Sequence, residues 1–152
     1  MGTGRVASLF VPSLCPLCRG SVSPESLLCG DCMRELNRSE ALRRDPPEGV
    51  DRIVSCADHD GVPRQLLAAF KFRRLAGLGI LIAGFMADAL GPPALQSLLV
   101  PVPPSRLRTW LRGFDPVALL NGEVASQTGL ETPGRPLLRR HGSRRQRGRG
   151  RA

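Results

Sequence analysis

Four closely spaced cysteines constrain this chain more than any other feature. Cys15, Cys18, Cys29 and Cys32 stand as C-P-L-C, ten residues, C-G-D-C. Two C-x-x-C knuckles at this separation can wrap one tetrahedral ion, with each sulfur about 2.3 Å from the metal, and a thiolate set selects zinc. Gly20 and Gly30 follow closely on Cys18 and Cys29, where tight backbone turns are expected. Disulfides or free thiols are the alternative. A disulfide framework requires an oxidising compartment, and no feature of the sequence points to one.

Length and composition bound the rest. A chain of 152 residues makes one ordinary domain, or a small metal module plus a compact domain. Residues 1–14 hold no sustained apolar segment of the secretory kind. The longest apolar stretch, 75–90, is short for a membrane span and carries Asp88 and three glycines. The expectation is a cytoplasmic protein without membrane insertion, a setting that keeps thiolates reduced for a metal. The net charge of +9 is unevenly spread. Residues 1–134 hold 14 basic and all 13 acidic residues, whereas residues 135–152 hold eight arginines and no acid. The basicity is thus a C-terminal tail on a nearly neutral body, and the overall charge says little about a nucleic-acid-binding fold.

Periodicity orders the remainder. Leu9, Phe10 and Val11 are expected to pack on the metal module, and residues 31–36 to start a short helix capped by Asp31. Residues 37–49, charged and ending D-P-P-E-G, read as a linker. Residues 53–57 (I-V-S-C-A) suit a short strand. Apolar residues at 62, 66, 69, 70 and 72 predict one helix, with Asp60 as a candidate cap. Those at 78, 82, 85, 86 and 90 predict a second, stopped by Gly91-Pro92-Pro93. Residues 97–103 (S-L-L-V-P-V-P) suit a strand buried on both faces, as in a parallel sheet. A loop over 104–114 leads to a helix with Asp115 as N-cap, Pro116 in its first turn, an apolar face of Val117, Leu120 and Val124, and Gly129 at its end. Residues 136–138 suit a last short strand. The order is that of an α/β layout with a parallel sheet.

The 97–128 unit carries the chemistry. Ligands of open α/β sheets bind beyond the carboxyl ends of strands. Here that position holds Arg106, Arg108, Arg112, Gly113 and a helix N-terminus. Guanidinium forks grip phosphate oxygens and helix N-termini attract anions. From composition alone, a solvated basic loop beside an ordinary helix cap explains the same residues. Trp110 reads first as a hydrophobic anchor for the loop, with stacking on a base as the alternative. Cys56 reads as a buried structural thiol, His59 as a surface turn residue and His141 as solvated.

Four segments in order resemble one family. L-F-V-P-S-L-C-P-L-C-R-G at the start, A-F-K-F-R-R at 69–74, V-P-V-P-P-S-R-L-R-T-W-L-R-G-F-D-P at 100–116 and L-L-R-R-H-G-S-R-R-Q at 137–146 resemble the ComF family of competence-related proteins. That family joins a cysteine zinc module to a type I phosphoribosyltransferase-like domain. Its Arg-Gly-Phe is usually followed by Asn where this chain has Asp115, and its basic segment has Thr where this chain has Ser143. The resemblance implies a small N-terminal four-cysteine zinc ribbon at 1–36, a linker at 37–49, a partial phosphoribosyltransferase-like α/β domain at 50–138, and an Arg-rich tail at 139–152 that is the remnant of a mobile hood loop. It implies a structural zinc held by Cys15, Cys18, Cys29 and Cys32. Arg106, Arg108, Arg112 and Gly113 would line the pyrophosphate side of a phosphoribosyl diphosphate site. Single-stranded DNA and a competence helicase are the implied partners.

Two departures bear on activity. The family's paired acids and Thr-Thr-Gly loop, which hold the ribose hydroxyls and the 5-phosphate, are absent from this sequence. After Gln146 the chain runs Arg147-Gly148-Arg149, where the family places an apolar residue. Catalysis needs both halves of the ligand held, so no catalytic residue is assigned. The expectation is a truncated or frameshifted member, catalytically incompetent. The rival readings are a zinc-ribbon accessory protein that binds nucleic acid without enzymatic activity, and a non-functional product.

Overall fold

The computed structural model describes residues 14–40, 42–92, 97–134 and 137–138. The segment at Leu9–Val11, the tail at 139–152 with His141, and part of the strand expected at 136–138 lie outside the described residues; Leu137 and Leu138 themselves are in no strand.

The elements are α1 (Gly30–Asn37), β1 (Leu42–Arg44), β2 (Ile53–Ser55), α2 (Gly61–Phe72), a 3-10 turn (Ala76–Leu78), α3 (Gly79–Leu90), α4 (Arg106–Arg112) and α5 (Pro116–Thr128). The expected helix after the second knuckle forms, but Cys29 takes the cap position without a side-chain bond. Asp31 lies in the first turn and pairs with Arg34. The expected linker contains β1, which runs antiparallel to β2 with Leu42 opposite Ser55 and Arg44 opposite Ile53.

One core joins the metal module to the helices. Cys15, Leu28, Cys29, Cys32 and Leu36 form a single buried cluster with Val62, Leu66, Ala69 and Phe70 of α2 and Leu78 and Ile82 beyond it. The α2 stripe therefore buries as its spacing requires, with one exception: Phe72 is 70% exposed. The ring of Phe70 is fully buried and meets Phe114 edge to face, with centroids 5.6 Å apart. α3 packs chiefly on α5. Gly79 permits close approach there, because a Cβ at that position would run into Leu119 and meet Phe70 at 3.2 Å. Leu78, Ile82 and Ala83 bury from this region, with Phe85 and Met86 half-buried.

α5 matches its sequence signals closely. Asp115 accepts hydrogen bonds from the Val117 and Ala118 N–H groups, Pro116 occupies the first turn, and Gly129 closes the helix in the left-handed region at φ 72°.

The expected parallel sheet is not present among the described residues. Residues 97–103 contribute one parallel bridge, Leu98 with Glu131, in which the Leu99 N–H donates to the Glu131 carbonyl at 2.8 Å. Leu98 and Val102 are exposed. Pro101 has no N–H to donate where the next bond on the Leu99 edge would fall, so the pairing with Glu131 does not extend along that edge. The run that reads as a buried strand thus forms a single parallel bridge among the described residues. The fold described is mainly helical, with a two-stranded antiparallel ribbon and a four-cysteine cluster. No helix among the described residues is long and apolar enough to cross a membrane.

Candidate metal centre and arginine face

The four cysteines meet because each pair is placed by local backbone geometry. In the first knuckle Leu14 bridges Ser21, the Cys15 N–H donates to the Gly20 carbonyl at 2.8 Å, and the Gly20 N–H donates to Cys18 Sγ at 3.4 Å. The left-handed residue of this turn is Arg19, at φ 64°, rather than the glycine that follows it. The second pair is carried by a helix: Cys29 caps α1 and Cys32 lies in its first turn. The module is therefore one hairpin knuckle set against a helix start, not a ribbon of two hairpins. The partial positive charge at that helix start favours thiolates.

All four sulfurs lie within 4.8 Å of one another. Cys15 and Cys32 are separated by 3.8 Å, and Cys18 and Cys29 by 3.4 Å. A tetrahedron with arms of about 2.3 Å has edges of about 3.8 Å, so the arrangement is of the right size for zinc. These residues could hold a metal ion such as zinc. The donor set carries the same implication electrostatically. Burial opposes ionisation of Cys15, but the N–H groups of Cys18, Cys29 and Leu17 outweigh it and bring the thiol down to about 6. Burial and then the neighbouring sulfurs push Cys32 well above the ordinary thiol value. A cation bound among four sulfurs this close would offset their mutual repulsion as thiolates.

The predicted arginine loop is a helix. Residues 106–112 form α4, whose side chains include no buried one. Gly113 ends it in the left-handed region at φ 78°, its N–H donating to the carbonyls of Thr109 and Trp110. Helical spacing separates Arg106 from Arg108 and puts Arg108 and Arg112 on one side. Trp110, expected as an anchor, is 77% exposed. The three arginines and Gly113 do not converge beyond a strand end.

A different set of residues joins α4 to the body. The Arg112 guanidinium lies over the Phe72 ring, 5.2 Å from its centroid. Arg74 donates to the Leu111 carbonyl at 2.8 Å, from a backbone at φ 57°. Arg73 donates to the Pro16 carbonyl, inside the first knuckle. Burial, and then the Arg112 charge, lower the pKa of Lys71. Among the described residues the one ion pair is Arg34 with Asp31, so none of these cations is neutralised by a carboxylate. The end of α2 thus gathers Lys71, Phe72, Arg73 and Arg74 beside Arg112, while Trp110, two residues before Arg112, lies on the other side of α4. Phe72 stands about 200° round α2 from Phe70, at the edge of the apolar stripe, and Arg74 lies beyond the helix, so neither stands out in the pattern. Only the A-F-K-F-R-R segment singled out above points to them.

Cys56 and His59 fit their simpler readings. Cys56 is half-buried and burial raises its pKa. It lines a cavity of about 110 Å³ with Leu36, Pro63, Leu66 and Phe85, and exposed His59 lies at the same cavity. No arginine among the described residues lines it.

The chain matches no protein-family model, no curated protein and no solved structure.

Proposed function

We propose that this chain is a ComF-type, phosphoribosyltransferase-like protein that carries a structural zinc and binds the phosphates of single-stranded nucleic acid without transferase activity. The zinc would serve folding, because four protein sulfurs leave no coordination position for a substrate. The observation that carries the reading is the convergence at the end of α2. Three segments that resemble the family, the first knuckle, residues 69–74 and residues 100–116, are joined there by Arg73 with Pro16, Arg74 with Leu111 and Arg112 with Phe72. α4 adds exposed Trp110, with exposed Arg106 one turn before it on the same side, and a guanidinium beside an aromatic ring is the combination that grips a flexible strand by phosphate contact and base stacking. Binding rather than transfer is proposed because this surface offers cations and an aromatic ring, and no carboxylate among the described residues pairs with those cations. In the family's setting the partner would be a strand delivered by a DNA-translocating helicase.

Titration of labelled oligothymidylate and of phosphoribosyl diphosphate at two salt concentrations tests this. The expected result is oligonucleotide binding that weakens with salt, with a logarithmic slope of about −0.7 per phosphate engaged. Trp110→Ala should weaken it by about 1–3 kcal/mol, the range for a lost stacking platform. Salt-independent or absent oligonucleotide binding would overturn the proposal. Turnover of phosphoribosyl diphosphate would overturn its non-enzymatic part.

A further inference from the structure

Helix α2 is held at both ends by the metal module. At its start Asp60 takes the cap position but makes no side-chain bond. Glu35 of α1 serves instead, accepting from the Val62 N–H at 3.2 Å. Gly61 makes this possible: its backbone is left-handed at φ 48°, and a Cβ there would stand 2.8 Å from the Glu35 carboxylate. At the other end Arg73 donates to the carbonyl of Pro16, which lies between the first two cysteines. The residues on either side of Arg73 hold α4, Phe72 beneath Arg112 and Arg74 on the Leu111 carbonyl.

We propose that Arg73 is a positioning residue through which metal occupancy sets the placement of α4. An ion that fixes Cys15 and Cys18 also fixes the carbonyl between them. The guanidinium held by that carbonyl then fixes the end of α2, and the flanking Phe72 and Arg74 pass the constraint to Arg112 and Leu111. A hydrogen bond from a charged donor is about twice as strong as a neutral one, so the contact is suited to this role. Metal binding and ligand binding on the arginine face are therefore coupled, and coupling of this kind is reciprocal. The ligand half of the inference rests on the nucleic-acid reading above; the placement of α4 does not.

Trp110 is the sole tryptophan and the chain has no tyrosine, so emission anisotropy reports α4 alone. The full chain is measured zinc-loaded and after chelation, as wild type, Arg73→Met and Arg73→Lys. Methionine keeps an apolar stem and removes the donor; lysine restores a donor. In the wild type chelation should lower the anisotropy. Zinc-loaded Arg73→Met should already show the lowered value, with zinc content and far-ultraviolet circular dichroism unchanged, and Arg73→Lys should recover part of it. Wild-type anisotropy in zinc-loaded Arg73→Met would overturn the inference. In a second measurement, saturating oligothymidylate should tighten zinc binding against a chromophoric chelator by the same factor that zinc tightens the oligonucleotide, about fivefold or more. An unchanged zinc affinity with oligonucleotide bound would overturn the coupling. If no oligonucleotide binds, the functional reading fails, and the anisotropy comparison alone decides the role of Arg73.

Discussion

The metal module and the arginine face each collect like-charged or like-polarised groups, but one closes on a point and the other spreads over a surface. In the module, four sulfurs come within 4.8 Å and three of the four cysteines are buried. On α4, three arginines in seven residues stay on a helix that buries none of its side chains. The difference follows from what places the groups. A C-x-x-C knuckle is a short-range device, in which a two-residue spacer and one turn decide where both sulfurs point. Arginines spaced as R-L-R-x-x-x-R on a helix are distributed by its 3.6-residue period, and only tertiary structure could gather them. Here Phe72 at the end of α2 draws in Arg112, and no contact gathers Arg106 or Arg108 with it among the described residues.

The largest expected effect separates the two regions outright. Cys32→Ser removes one of the four clustered sulfurs, buried within the core. Zinc affinity should fall by more than about a hundredfold, beyond the roughly 10–100-fold range of changes outside the ligand set. Trp110→Ala should leave zinc affinity unchanged. A chelator competition with each variant checks this, and equal zinc affinities in the two would erase the contrast.

Two phenylalanines sharpen it at the next scale. Phe70 is fully buried against Phe114, so Phe70→Ala should cost about 3–5 kcal/mol of stability. Phe72, two positions on and exposed beneath Arg112, should cost about 1 kcal/mol or less when changed to Ala, near the range of an exposed cation–π contact. Urea unfolding of the zinc-loaded variants measures both. Comparable losses would mean that Phe72 belongs to the core after all. A smaller effect is expected at the entrance to α5. Asp115→Ala removes the acceptor for two backbone N–H groups and should cost about 1 kcal/mol by the same method.

These two regions also mark how far the sequence can be read. The cysteine cluster is legible because its geometry is local, and so is α5, where Asp115, Pro116 and Gly129 each act within a turn of their own position. The buried side of α2 follows from its period. The period sets Phe72 about 200° from buried Phe70, but it cannot show that Arg112 of α4 lies over the ring. The 97–103 run misleads because hydrophobicity and backbone donors are separate requirements for a buried strand, and its prolines meet only the first. The arginine segment reads as a loop because its ends carry prolines and a glycine. Those residues instead frame a short helix, with Gly113 as its stop. The cap expected from Asp60 comes from Glu35, a residue whose role depends on α1 lying alongside and which no local pattern reveals.

Thiol counting on zinc-loaded protein tests the central claim most directly. The chain has five cysteines, four of them in the cluster and Cys56 apart. With one zinc bound per chain, a thiol reagent should detect no more than one group, half-buried Cys56, and the count should rise to five once the protein is chelated and denatured. Five reactive thiols before chelation, or a chain that takes up no zinc, would contradict the four-sulfur metal centre on which the arrangement of α2 and α4 rests.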